Sequence, residues 1–374
     1  MNAKQYFLCV AAMALPATSF AGGQGKPLFG KPKFSGYIIG QYQASMGGDN
    51  NSNTFNLRMA RVSVGGRVLG DFEYKVQAQI NGNTSTLGES PRLVDAFVEW
   101  QKFKFACIKI GQFKRPFTFE NPMHPVDQGF MGYSQNVQRL AGFNDRSGEQ
   151  ASNGRDIGIQ LQGDFIANKA GRHLFHYQVG VFNGQGINTK DVDNRKDVIG
   201  GLWVMPIEGL RIGAFGWVGS KARKGHWTDE GGNERTGTVC LSQKRYAISA
   251  EYKKDDWQIR SEYIHSTGYG FKTTCQGGDD ASDATVNLAQ GNKADGVYAL
   301  CIAPIIRQKL RAKARYDLYR KSGSWTDSRT QYEVGLNYLF CKNLEVQAEY
   351  AFINDRSLAK HNCSMVDVQL SVRF

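Results

Sequence analysis

The chain has 374 residues, a formal net charge of +12 and a mean hydropathy of −0.44. Beyond the N-terminal segment, no stretch approaches the roughly 18 uninterrupted apolar residues that a transmembrane helix needs. The 43 glycines, 22 phenylalanines and 16 tyrosines, set against nine prolines, indicate many strands joined by turns. The positive charge suits an anionic solute or an acidic surface. Nucleic acid is the least favoured partner, because no helix or loop carries a basic cluster interleaved with aromatic residues.

The first 21 residues have the layout of a secretory signal peptide. Lys4 precedes an apolar run over Tyr6–Leu15, small residues lie around Ser19 and Ala21, and cleavage is expected after Ala21. The apolar run is too short to cross a bilayer as a helix, so we expect the mature protein to leave the cytoplasm. Residues 22–33 are expected to form a short periplasmic lead.

Segments that alternate apolar and polar residues recur along the remaining chain, as strands with one oily and one wet face do. In chain order they are FSGYIIGQYQ, FNLRMARVSVGG, FEYKVQAQI, LVDAFVEW, FACIKIGQF, DIGIQLQGDF, HLFHYQVGVF, DVIGGLWV, LRIGAFGWV, RYAISAEYK, WQIRSEYIH, GVYALCIA, LRAKARYDLY, TQYEVGLNYLF, LEVQAEYAF and VDVQLSVRF. Their number, sixteen, is even, which bacterial outer-membrane barrels require.

The connections between these segments alternate in length. Short ones, such as VLGD, QKFK and KKDD, are separated by long ones around residues 47–54, 114–155, 223–243 and 273–295. Short turns on one rim and long loops on the other are typical of outer-membrane barrels, whereas a soluble sandwich has no reason to keep this rule. We therefore predict an all-β fold, a transmembrane antiparallel barrel of about 16 strands over residues 34–374. Its last strand would turn an apolar face to lipid and a polar face to the lumen.

Motifs for catalysis or metal binding are sparse. The chain has no G-x-S-x-G, H-E-x-x-H or phosphate-cradling glycine motif. His173 and His176 would lie on opposite faces of a strand and cannot share a metal ion. No enzyme activity, catalytic residue, metal or cofactor is predicted. The cysteines form no C-x-x-C pair, and Cys240 and Cys275, in neighbouring long loops, are either bridged or free thiols.

Basic side chains are predicted to line the lumen. In LRAKARYDLY, Arg311, Lys313 and Arg315 alternate with apolar residues that would face lipid. Side chains two apart on a strand are about 7 Å apart, so these three would form an inward ladder of about 13 Å.

Other basic residues share that inward parity. Arg260 and Lys75 point inward on the same alternation, and so does Arg58 or Arg61, where a break in parity predicts a β-bulge. Acidic residues lie on the same wall: Glu262, Glu333, Glu345, Glu349 and Asp367. Selectivity would therefore come from a local basic cluster rather than from a uniformly basic wall.

The stretch GQFKRPFTFENP, residues 111–122, leaves a strand and opens a gap of about forty residues, far longer than an ordinary loop. Its run of Gly111, Gln112, Phe113 and Lys114, followed by Pro116, Phe117 and Glu120, resembles the signature of the phosphate-selective porin O and P family. The strand layout and the terminal Phe374 extend the resemblance over nearly the whole mature chain.

This resemblance implies a sixteen-stranded homotrimeric barrel whose loops fold inward and whose basic side chains guide anions. It implies that residues of about 112–155 fold into the lumen, with Lys114 and Arg115 as anion-binding candidates. It also implies that Phe374 is part of the signal read by the barrel assembly machinery.

The sequence thus favours a passive channel in the outer membrane of a Gram-negative-type bacterium. Arg and Lys would replace part of the hydration shell of small anions such as phosphate. The alternative is a general-diffusion porin without solute specificity, and a third possibility is a barrel adhesin or enzyme. Expected partners are the anions, outer-membrane lipid, the assembly machinery and further copies of the chain.

Overall fold

Sixteen antiparallel strands close into one barrel in the computed structural model, which describes residues 29–48, 51–81, 91–149, 152–229, 231–273 and 283–374. The strands are β1 (Lys33–Met46), β2 (Ser52–Val68), β3 (Phe72–Gln79), β4 (Arg92–Phe103), β5 (Ala106–Lys114), β6 (Arg155–Ala167), β7 (His173–Phe182), β8 (Asp197–Val204), β9 (Leu210–Thr228), β10 (Glu234–Lys254), β11 (Trp257–Thr267), β12 (Lys293–Ile306), β13 (Leu310–Arg320), β14 (Ser328–Cys341), β15 (Leu344–Asp355) and β16 (Asn362–Arg373). Each strand pairs with its neighbours in the chain, and β1 pairs with β16. The predicted fold class is confirmed.

The part of the chain that the structure describes contains one α-helix, α1 (Gln135–Leu140), and short 3-10 turns at Leu288–Gln290 and Trp325–Asp327. No helix among the described residues is both long and apolar enough to cross a bilayer. The predicted signal peptide and Cys275 lie outside the described residues. The signal peptide and the alternative of a bridge between Cys240 and Cys275 therefore stay predictions.

The two-residue alternation places each strand's apolar face outside the barrel. On β16, Val368, Leu370 and Val372 are exposed, whereas Asp367 and Gln369 are buried inside. The final residue is also part of the sheet, because the backbone of Phe374 exchanges two hydrogen bonds with Gly36 on β1, at 2.9 and 3.0 Å. Closure leaves no strand edge between the first and last strands.

One predicted loop is instead strand. Residues 223–243 were expected to be irregular, but β9 and β10 pair as far as Thr228 and Glu234, well beyond the ends of β8 and β11. The two strands form a ribbon that rises above the barrel wall. Because no apolar face is buried against lipid there, the ribbon is rich in Lys, Arg and Gly, and its sequence lacks the alternating hydrophobic pattern that predicts a strand.

The apolar core of the protein lies inside the barrel rather than around it. Aromatic and aliphatic side chains of residues 115–154 pack against inner-face residues of wall strands between β5 and β13. The main members are Phe117, Phe119, Val137, Leu140, Phe182, Phe215 and Trp217. This core fills part of the lumen and positions the segment that narrows the pore.

The orientation of β13 can be tested on its lipid face. Ala314 is exposed on the outside, between Cys301 and Val334 of the adjacent strands. Ala314→Arg should place a charge in hydrocarbon at a cost of about 2–4 kcal/mol near the bilayer midplane, and so reduce the yield of folded barrel. Heat-modifiable gel mobility measures that yield. Ala314→Val is the control, and normal folding of the arginine variant would contradict this orientation.

Candidate functional site

The segment of residues 115–154, here called the inward loop, is fastened inside the barrel by hydrogen bonds to wall carboxylates. Phe119 and Glu120 donate their backbone N–H groups to Glu262, Met131 donates to Glu349, and Gln135 donates to Asp317, over 2.8–2.9 Å. Backbone groups that turn away from the sheet need such partners, because an unsatisfied buried N–H is costly. These lumenal acids therefore serve as acceptors for the loop.

Two arginines clamp the base of the inward loop around one indole ring. The guanidinium groups of Arg115 and Arg245 lie 4.8 and 4.3 Å from the ring centre of Trp217. Arg245 donates to Asp145 at 2.6 Å. Burial opposes the ionisation of Asp145, but the guanidinium beside it holds the pKa of that carboxyl below its usual value. The loop base is thus a packed network of paired charges.

The structure corrects the prediction that Arg115 binds anions in the pore. Its side chain is 0 % exposed and bonds to Glu149 and Asp156, at 3.1 and 2.9 Å. Arg260 needs the same correction, since it is 0 % exposed and lies between Glu120 of the loop and Glu251 of β10. Both arginines hold the loop in place and lie behind the pore surface.

The predicted ladder on β13 points inward as expected, but each of its residues is bound to a glutamate one or two strands away. The pairs are Arg311–Glu345, Lys313–Glu349 and Arg315–Glu333. Lys313 and Arg315, 0 and 2 % exposed, also donate to the loop carbonyls of Gly129 and Gly132, at 3.1 and 2.9 Å. The expectation of three solvated cations is wrong for Lys313 and Arg315, which attach the loop to the wall.

Two cavities lie on either side of the inward loop. The outer cavity, of about 940 Å³, opens toward the long loops, and the inner cavity, of about 270 Å³, toward the short turns. The charges of the outer cavity are balanced: Arg58, Arg139, Arg146, Arg315, Lys321 and Arg329 face Asp317, Asp327, Glu333, Glu349, Asp355 and Asp367. Such a mixture gives a polar passage with no excess of either sign.

The inner cavity has a strong excess of positive charge. Its lining includes Arg61, Lys75, Lys109, Lys114 and Arg155, with Asp95 as its carboxylate. Asp95 is shared between Arg155 and Lys75, at 2.5 and 3.5 Å. Burial lowers the pKa of His124, so this ring at the cavity wall is neutral at physiological pH. Lys109 is paired with Glu99 at 3.3 Å. An anion entering here would meet several cations, of which Lys75, Lys109 and Arg155 already have an acidic partner.

Three cations at the passage between the cavities have only neutral hydrogen-bond partners among the described residues. Arg58 donates to Gln369 at 2.8 Å, and Arg61 donates to Gln79 and Tyr37 at 3.1 and 2.9 Å. Lys114 donates to the carbonyls of Asn121 and Met123 and to Tyr133, at 2.6–2.8 Å. No carboxylate lies within ion-pair distance of these three residues in the described ranges; Arg58 and Lys114 are half-buried, whereas Arg61 is buried.

The break in parity on β2 explains how both arginines reach the lumen. The pairing of β1 with β2 shifts between Ile39 and Gly40, which leaves Arg58 without a cross-strand partner in the ladder. The sequence predicted this bulge, with either Arg58 or Arg61 facing inward; the bulge turns residues of both parities inward.

Sequence reasoning missed Arg155 and Lys109, and the pattern offers little signal for the first. Phe113 and Lys114 are adjacent yet both line the inner cavity, because the wall gives way there to the inward loop. Arg155 pairs with Lys114 at this same junction, where alternation no longer predicts direction. Lys109, in contrast, follows the alternation of FACIKIGQF and could have been included.

Comparisons with known proteins agree with this architecture. Residues 37–191 match the sequence model of the family described as phosphate-selective porin O and P, which confirms the predicted resemblance. No curated protein sequence matches the chain.

Solved structures with the same fold are porins and related outer-membrane proteins. The anion-selective porin from Comamonas acidovorans is 12% identical with a TM-score of 0.62, over 92% of this chain and 99% of that one. OmpT of Vibrio cholerae in its trimer form is 14% identical with a TM-score of 0.58, over 92% and 99% of the two chains. Salmonella typhi OmpF in complex with daunomycin is 13% identical with a TM-score of 0.62, over 92% and 97%. The family match over residues 37–191 and the shared fold support an outer-membrane porin channel.

The attachment of the inward loop can be tested at Lys313. Lys313→Met leaves Glu349 buried without its partner, which should cost about 3–5 kcal/mol and loosen the loop near Gly129. We expect a lower unfolding temperature and faster amide exchange over residues 129–132. The double variant Lys313→Met, Glu349→Gln removes both charges and should recover most of the lost stability. Equal stability of the single and double variants would show that the pair does not hold the loop.

Proposed function

We propose that this outer-membrane porin, whose residues 37–191 match the phosphate-selective porin O and P family, is a passive channel that favours small anions, with phosphate as one candidate solute. The observation that carries the proposal is the set of cations with neutral partners, Arg58, Arg61 and Lys114, at the passage between the cavities. Cations already bound to carboxylates contribute little net field, whereas these three leave a local positive excess.

The same set suggests a path for the anion. A solute would leave the charge-balanced outer cavity at Arg58, pass Lys114 and Arg61, and enter the basic inner cavity. Arg58 would offer charge-assisted hydrogen bonds that replace part of the hydration shell, while Lys114 and Arg61 would attract the anion through their charge. Arginine matches phosphate with its planar fork and lysine acts as a point charge. Several weak sites in series allow an ion to enter and also to leave.

The alternative of a general-diffusion porin is favoured by the outer cavity, whose basic and acidic residues are equal in number. In that case the charges would orient solutes without selecting them. The two proposals differ in one measurable property, which is whether phosphate blocks the chloride current in a saturable manner.

We also propose that the barrel works as a homotrimer in outer-membrane lipid and is inserted by the barrel assembly machinery. A similar solved structure is described as a trimer form, which supports the first point. The exposed terminal Phe374, fixed to Gly36 at the barrel seam, supports the second.

Anion preference is tested by Arg58→Gln, Arg61→Gln in planar bilayers. Each charge contributes about 1 kcal/mol to a neighbouring anion, so the double variant should lower the anion-to-cation permeability ratio about thirtyfold. The reversal potential in a KCl gradient measures this ratio, and a phosphate titration measures block.

The matched control is Arg311→Gln, Glu345→Gln, which removes an ion pair from the same lumen without changing its net charge. This control should keep the wild-type reversal potential. An unchanged potential in the Arg58, Arg61 variant would refute the proposed anion path.

A further inference from the structure

The inner cavity combines its positive charge with an apolar surface that a small inorganic anion does not need. The inward loop contributes Pro116, Pro122, Met123 and Pro125 to the lining, and β4 contributes Phe97. Met123 is half-buried and Pro122 is exposed. A hydrated inorganic ion gains nothing from these groups, whereas an apolar part of a solute would be removed from water against them.

Cations lie directly beside the aromatic ring. Lys75 on β3 is the cross-strand partner of Phe97, and the ammonium of Lys109 lies 4.8 Å from the centre of the same ring. A planar solute that stacks on this surface would therefore have its charged group within reach of lysine side chains.

Arg61 adds positive charge at the wall of the inner cavity. Its side chain is 1 % exposed and its guanidinium donates to Gln79 and Tyr37, so it acts on the charged group of a solute through its field rather than through a direct hydrogen bond.

The size of the inner cavity limits the solute. About 270 Å³ is near the lower end of ligand pockets, which is room for one ring with one small anionic group. The packed aromatic core of the inward loop bounds the cavity on one side, so a larger amphipathic molecule would not fit.

We infer that the inner cavity binds organic anions that carry a phosphate or carboxylate group on a single aromatic ring, in preference to inorganic or alkyl phosphates of the same charge. This inference rests on the proposed anion channel and names a solute class for it. Lys75, whose side chain is 35 % exposed, binds the anionic group, the charges of Arg61 and Lys114 attract it, and Phe97 and Met123 contact the ring.

The test compares phenyl phosphate with methyl phosphate as blockers of the chloride current through single channels. Both carry the same anionic group, so a difference between them reports the ring. Removing most of one face of a ring from water should make phenyl phosphate effective at about tenfold lower concentration. Inorganic phosphate should resemble methyl phosphate.

Two variants locate the effect. Met123→Gln and Phe97→Leu should bring the half-blocking concentrations of the two phosphates close together while leaving the block by methyl phosphate unchanged. The matched control is Met365→Gln, because Met365 lines the outer cavity and takes no part in the proposed binding. This control should keep the tenfold difference.

The outcomes separate this inference from the proposed function. Equal block by phenyl and methyl phosphate in the wild-type channel, or equal loss in the Met123 and Met365 variants, overturns the inference alone. Absence of block by phenyl phosphate in a channel that still prefers anions does the same. A channel with neither block nor anion preference overturns the proposed function as well. The wild-type comparison decides the question even if a variant folds poorly.

Discussion

The structure depends on one constraint, which is that charges buried with the inward loop must have partners. A lone buried charge costs several kcal/mol, and five of the arginines and lysines at the loop–wall contact are matched by carboxylates. Arg115, Arg245 and Arg260 meet this constraint at the loop base, and Lys313 and Arg315 meet it across the lumen. The loop is consequently fixed at several points around the wall, and the two cavities keep their shape.

The same constraint separates two kinds of lumenal cation. Most of those bound to carboxylates hold the loop and leave little net field, whereas Arg58, Arg61 and Lys114 have neutral acceptors that do not cancel a positive charge. Neutral acceptors orient these side chains and satisfy most of their N–H groups without cancelling the charge. Fixation and selectivity are thus carried by different residues, although both sets are basic and both face inward.

Much of the fold could be predicted from the sequence, because apolar and polar residues alternate with a two-residue period along the strands of a barrel wall. The period gave the sixteen strands, the inward direction of Arg311, Lys313 and Arg315, and the bulge at Arg58 and Arg61. It could not give the partners of these residues. Whether Lys313 is free or bound depends on Glu349 two strands away and on Gly129 of a loop that has no period. The ribbon formed by the ends of β9 and β10 was missed for a similar reason. Strand residues beyond the membrane have no apolar face toward lipid, so their sequence lacks the alternating pattern.

The position of the inward loop also explains why charge excess and apolar surface occur together on its inner side. The loop needs an aromatic core to stay folded in a wet lumen, and that core has to end somewhere along the pore. It ends at Phe97 and Met123, next to the junction where Lys114 and Arg155 turn inward. Any loop fixed in this way presents an apolar margin to the pore, but here the margin adjoins cations that have few acidic partners. A solute with one charged end and one flat apolar end would meet both features at once, whereas inorganic phosphate would meet only the cations.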